Sequence, residues 1–235
     1  MKSWRSFIPN LLTLANLACG LLALLAIFNE DYLTAAGLMV ASLLFDFLDG
    51  LTARALGVSS PLGVQLDSLA DLVSFGVSPG FLMFHVILGK SLPDQPEWLP
   101  FTALAIPLLS AWRLAVFNLD HRQTSNFIGL PTPANAIMIF SVALFPTYAS
   151  NEVLENFLSD PLVLSLISLV SAVLQVAPFP LQSLKFKKFG WRGNEGRIIL
   201  LVGILLLLLI FGSTALLFII PLYLLISIIF KPQTA

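Results

Sequence analysis

Asp46, Asp49, Asp67 and Asp71 fall within one stretch of 26 residues. Carboxylates at this density can hold hard cations through oxygen and can accept protons. Their surroundings make that chemistry conspicuous, because the flanking segments Leu44-Phe45-Asp46-Phe47-Leu48-Asp49 and Leu66-Asp67-Ser68-Leu69-Ala70-Asp71-Leu72 are otherwise nearly all apolar. The whole chain is 57% hydrophobic and 11% charged, with a mean hydropathy of +0.93. Soluble domains carry about 25% charged residues, so this chain belongs in a membrane. A carboxylate there is costly and marks a functional site. Four together need more counter-charge than Arg54 alone supplies. Mg²⁺ or Mn²⁺ fits best, since both accept carboxylate ligands and leave positions open for phosphate oxygens.

Helical phase sorts these residues. At about 100° per residue, Asp49 lies near −60° from Asp46, Gly50 near +40°, Ala53 near −20° and Arg54 near +80°. Two acids therefore share a face with two residues lacking bulk, which lets a ligand or a second helix approach the backbone. Asp67 and Asp71 are one turn apart. Ser74 and Ser78 extend that stripe, and Gly63 continues it backwards. Two helices with two carboxylates each form an oxygen cage for one or two metal ions. The residues alone imply metal-dependent handling of a phosphorylated ligand at a membrane surface.

The elements that must position the cage are apolar runs near 8–28, 32–53, 66–89, 98–118, 131–149, 161–178, 196–211 and 213–230. A bilayer crossing takes about 20 residues. The runs predict an all-α integral membrane protein of about eight helices in one domain, with six core helices and a terminal hairpin turning at Gly212-Ser213-Thr214. The first run reads as a transmembrane helix and not a cleaved signal, because no small-x-small site follows it. The connections near 29–31, 90–97, 149–160 and 212–214 carry one base, Lys90, and seven acids: Glu30, Asp31, Asp94, Glu97, Glu152, Glu155 and Asp160. The other eleven bases fall on the opposite side, among them Lys2, Arg5, Arg54, Arg113, Lys185, Lys187, Lys188, Arg192 and Lys231. That asymmetry predicts cytoplasmic termini, with the aspartates at the cytoplasmic helix ends. A net charge of −1 offers no global basic surface for nucleic acid, and the single Cys19 excludes an internal disulfide or a cysteine metal cluster. His85 and His121 read as structural or solvated.

The pattern Asp46-x2-Asp49-Gly50-x2-Ala53-Arg54-x8-Gly63-x3-Asp67-x3-Asp71 resembles, at eight fixed positions, the signature of the CDP-alcohol phosphotransferase family. Ile8-Pro9-Asn10 through Asn16, Asp71 through Pro79, Arg113 through Asn118, and Phe127 through Ala134 resemble its serine-accepting branch. Val116 departs from that branch, which has an arginine there.

The resemblance spans about residues 5–200 and implies a six-helix catalytic core in a homodimer. It also implies transfer of the phosphatidyl group from CDP-diacylglycerol to the hydroxyl of L-serine, giving phosphatidylserine and CMP for phospholipid synthesis. By resemblance, Asp46, Asp49, Asp67 and Asp71 hold two ions on the donor pyrophosphate, and Asp71 is also the general base. Gly50, Ala53 and Arg54 lie on the nucleotide side with Asn10, Thr13 and Ser60. Arg113 and Ser78 are candidates for holding serine. Other members of the family use glycerol 3-phosphate or an inositol phosphate as acceptor. A transporter of metal ions or protons is the alternative from a different class. It would need polar residues at mid-membrane on several helices, whereas here the acids gather at one level.

Overall fold

The computed structural model describes residues 2–58, 60–119, 127–148, 151–181 and 194–230. Every apolar run becomes helix, so the chain is an all-α integral membrane protein. Helices α1 (Lys2–Phe28) and α2 (Tyr32–Leu56) pack along one another. The third run starts earlier than hydropathy suggests. It is one continuous rod of α3 (Pro61–Asp71), a π-helical turn (Leu72–Val77) and α4 (Ser78–Lys90). A 3₁₀ turn (Leu99–Leu104) leads into α5 (Ala105–Leu119). Then come α6 (Thr132–Ala143), the short α7 (Phe145–Tyr148) and α8 (Glu152–Phe157), and α9 (Pro161–Val176). The chain closes with α10 (Glu195–Phe211), a 3₁₀ turn (Gly212–Ala215) and α11 (Leu216–Ile229). Five stretches are long and apolar enough to cross a membrane, the last containing both α10 and α11, and α6 and α9 are shorter apolar helices. The α8 helix lies in a segment expected to be loop, where the Asn151 side chain accepts from the Leu154 amide at 3.0 Å and starts a turn.

The rod α3–π–α4 is central, touching α1, α5, α6 and α9. Close approach depends on residues without bulk. A Cβ on Gly20 of α1 would stand 2.8 Å from the Ser74 Cα, and one on Gly76 would meet the Ser110 Cβ at 2.9 Å. The main core, including Ile27, Leu82, Met83, Ile106 and Phe145, lies in the half of the bundle away from the carboxylates. Its end is tied by three contacts. Phe28 meets His85 edge to face at 5.4 Å, the Lys90 Nζ donates to the Ser159 Oγ at 3.0 Å, and the Ser213 Oγ donates to the Tyr148 carbonyl at 2.7 Å. The connections at 29–31, 90–97 and 151–160, which carry the seven acids, and the turn at 212–214 therefore share one end of the molecule.

The turn at the other end brings the two pairs of aspartates together. Gly57 ends α2 in the left-handed conformation at φ 62°, and the Val58 amide donates back to the Ala53 carbonyl at 3.0 Å. Ser60 then caps α3, its Oγ accepting from the Gly63 amide at 3.0 Å, with Pro61 in the first helical position. Phe127–Ile128 pairs antiparallel with Pro180–Leu181, which packs on α11. The basic connector with Lys185, Lys187, Lys188 and Arg192 lies outside the described residues, as do His121 and Arg122.

Candidate metal and phosphate site

Asp46 and Asp49 on α2 meet Asp67 on α3, with carboxylate oxygens that all lie within 4.8 Å of one another. The donor set is hard oxygen throughout, held on two helices joined by a tight turn, and it fits Mg²⁺ or Mn²⁺. Asp71, one turn further along the rod, stands outside this trio but within electrostatic range of all three. The fourth aspartate is thus separated from the others by its setting, which its spacing alone does not reveal.

A cleft opens beside the trio, lined by Asn10, Thr13, Asp49, Gly50, Ala53, Ser60, Gly63 and Asp67 among others. Five of the six residues assigned to the nucleotide side therefore share one wall system with two of the carboxylates. Gly63 forms part of the floor, and a Cβ there would come within 3.1 Å of the Ser60 Oγ and 3.2 Å of the Asn10 Oδ1. Arg54 is the exception. It is exposed and its guanidinium lies alongside Gly50, next to the cleft but not in its lining. Thr13 is buried, and its hydroxyl donates to the Asp49 Oδ2 at 2.6 Å. It holds a carboxylate as well as lining the cleft.

The rod beyond Asp71 differs from a straight helical stripe. In the π turn the Ser78 amide bonds to the Val73 carbonyl, five residues back. The Ser74 Oγ donates to the Asn16 carbonyl at 3.1 Å, so this hydroxyl is turned to α1. Gly76 and Gly80 are the rod residues that meet Ser110 and Pro107 of α5. Ser78 is fully buried, and its hydroxyl has no partner among the described residues.

Arg113 itself is buried on α5, its Nε without a partner, within electrostatic range of Asp71 and of Tyr223 on α11. One turn away the Ser110 Oγ donates to the Gln175 Oε1 at 2.8 Å, leaving the Gln175 Nε2 unpartnered. Unmet buried polar atoms are rare in folded proteins and ask for a ligand or water. Val116, where the resemblance expects an arginine, is 44% exposed.

Two features escape the sequence reading. Asn16 of α1 is fully buried, and its Nδ2 donates to the Asp71 Oδ1 at 3.1 Å. Ser42 of α2 donates both to the Asn16 Oδ1 and, at 2.9 Å, to the Asn16 carbonyl. The available signal was a polar stripe on an apolar helix, since Thr13, Asn16 and Gly20 recur at helical spacing. The other feature is Tyr223, on a hairpin without a readable motif.

The fold and site define a multi-pass membrane protein with an acidic phosphate-sized cleft at one end of its bundle. The family model for CDP-alcohol phosphatidyltransferase matches residues 6–177, and the chain belongs to that family. The match includes all four aspartates of the motif and ends before the α10–α11 hairpin. Over 132 residues the chain is 36% identical to the CDP-diacylglycerol–serine O-phosphatidyltransferase of Bacillus subtilis, covering 54% of this chain and 70% of that protein. It is 34% identical over 148 residues to the protein of the same name from Methanocaldococcus jannaschii, covering 63% and 66%. It is also 34% identical over 155 residues to the archaetidylserine synthase of Methanothermobacter thermautotrophicus, covering 63% of each. The chain thus spans about two thirds of the length of these relatives.

Proposed function

We propose that this protein transfers the phosphatidyl group of CDP-diacylglycerol to the hydroxyl of L-serine, releasing CMP. The observation that carries the reading is the convergence of Asp46, Asp49 and Asp67 beside a cleft floored by Gly63. The names of the relatives support serine as acceptor. Asp46, Asp49 and Asp67 would hold a divalent cation, which would supply charge neutralisation to a bound pyrophosphate. Asn10, Gly50, Ala53 and Ser60 bound the nucleotide, and small residues let it approach α2 closely. Arg54, at the rim, attracts its phosphates.

Asp71 takes the proton from the serine hydroxyl. The hydroxyl oxygen forms a bond to the phosphorus bearing diacylglycerol, and the bond from that phosphorus to the CMP oxygen breaks, its electron pair leaving with CMP. An aspartate ordinarily titrates near pH 3.9, so Asp71 acts as the hydroxyl attacks and not before. Arg113 holds the serine carboxylate, and its unpartnered Nε is a donor waiting for an acceptor. The eleven bases opposite the acid-rich end support a cytoplasmic-membrane protein with termini and site facing the cytoplasm. The family resemblance supports a homodimer.

Purified protein with CDP-diacylglycerol and Mg²⁺ or Mn²⁺ is expected to release CMP with serine, and not with glycerol 3-phosphate or an inositol phosphate. Release with either phosphorylated alcohol alone would move the protein to another branch, and no release with any acceptor would refute the transferase reading. Arg113→Lys is expected to raise the serine KM about tenfold with little change in the donor KM. An unchanged serine KM would remove Arg113 from the acceptor pocket.

A further inference from the structure

We infer that Asn16 is a positioning residue that fixes the rotamer of Asp71, with Ser42 setting the direction of the Asn16 amide; this rests on Asp71 being the base. The chemistry of the three groups leaves one arrangement. Asp71 as a carboxylate only accepts, so the Asn16 Nδ2 must face it, and the bond measures 3.1 Å. The Asn16 Oδ1 then needs a donor, and the Ser42 hydroxyl supplies it. Asn16 and Ser42 are both fully buried, so water does not compete for the bond between them, and the bond to Asp71 is partly buried. The network runs across three elements, from Ser42 on α2 through Asn16 on α1 to Asp71 at the end of α3.

The arrangement has a consequence at Asp71. One oxygen, Oδ1, is occupied by the amide, and Oδ2 is left to meet the acceptor hydroxyl. The bond also accounts for the setting of Asp71 outside the carboxylate trio, since the side chain is drawn to α1. The π turn that begins at Leu72 directly follows Asp71 and packs Ser74 on the same α1 residue. The base is therefore braced from its side chain and from its own backbone.

Ser74 provides the control. Ser42 and Ser74 both donate to the Asn16 carbonyl, but only Ser42 also reaches the Asn16 side chain. A purely structural role predicts similar effects for Ser42→Ala and Ser74→Ala. Positioning predicts that Asn16→Ala lowers kcat about 10–100-fold, and that Ser42→Ala lowers it about fivefold, a loss of roughly one buried hydrogen bond. Ser74→Ala should lose at most about twofold. Donor KM and Mn²⁺ affinity, the latter read by titration without turnover, should stay within about threefold in all three.

A kcat for Asn16→Ala within twofold of wild type would overturn the inference. So would equal kcat losses in the two serine variants, or a kcat loss matched by weakened Mn²⁺ binding. If Asn16→Ala does not fold, the contrast between the serine variants decides the matter. Asp71→Asn separates the two levels. Turnover by that variant would refute the base reading itself, whereas an inactive Asp71→Asn beside a fully active Asn16→Ala would refute only the positioning.

Discussion

The connections α2–α3 and α10–α11 differ in backbone and in packing. The first turns at Gly57 with φ 62° and ψ 33°, in the left-handed helical region, and the second at Gly212 with φ 55° and ψ −131°, outside it. Helices α10 and α11 pack on one another, whereas α2 and α3 each pack on α1. Both pairs are apolar rods. The first is covered on one side by α1, which buries Asp49 and supplies Thr13 and Asn16 to its carboxylates. The second leaves Leu201, Leu205, Leu209 and Ile210 exposed, and its inner contact is Gly203 against Leu222. The second hairpin also packs on a third helix, α6, so the contrast lies in the polar partners that α1 gives the aspartates. Carboxylates become a site only when another element gives them partners and a cleft. Among its described residues the second hairpin buries Arg197, Tyr223 and Ser227, and Tyr223 lies within electrostatic range of Arg113.

The largest test of this contrast is Asp71→Asn, expected to lower turnover about a thousandfold or more while donor binding stays within about threefold. Single-turnover CMP release and equilibrium donor binding measure the two halves, and retained turnover would place the base elsewhere. Next comes Gly63→Ala, which puts a methyl within 3.1 Å of the Ser60 Oγ. The donor KM should rise about tenfold, as expected when an oversized group distorts a bound geometry. An unaltered donor KM would remove the cleft from nucleotide binding. Gly57→Ala and Gly212→Ala compare the turns directly. Each should lose about 1 kcal/mol of stability to the forced positive φ, but only Gly57→Ala should also lose activity. Equal activity in both would mean that the α2–α3 turn does not set the carboxylate spacing.

The smallest effect concerns Asp31, far from the site. Its side chain accepts from the Thr34 amide at 3.1 Å and starts α2, and these bonds hold its carboxyl below the ordinary aspartate range. A depressed carboxyl contributes stability that is present above its unfolded pKa and lost as pH falls through its folded value. Asp31→Ala should therefore lower the unfolding midpoint slightly at neutral pH, and the two proteins should converge in acid. A difference that persists in acid would remove the charged cap as the cause.

Much of the fold was legible because a bilayer demands helices of a given length and orders charge by side. The carboxylate face on α2 was legible for a similar reason, since one regular helix fixes its own phase. The reading lost accuracy where regularity broke. The π turn at Leu72–Val77 alters the register of every side chain after Asp71, so the stripe drawn through Ser74 and Ser78 does not hold as a single face. Arg54, assigned to the nucleotide side by the resemblance, lies at the edge of the α2 face, as its phase predicts, and outside the cleft lining. Asn16 went unassigned because its meaning lies in residues 26 and 55 positions away, Ser42 and Asp71.

By itself the sequence determined the membrane setting, the helices, the two pairs of aspartates and the small residues that let a ligand reach them. These follow from composition and from the period of a single helix, which are local properties. Only the tertiary structure decided that Asp46, Asp49 and Asp67 converge, that Asn16 donates to Asp71, that Gly63 lines the cleft, and that Arg113 is buried with its Nε unpartnered among the described residues. Those facts depend on which helix lies against which, and side-chain hydrogen bonds across helices have no period that a single chain can display.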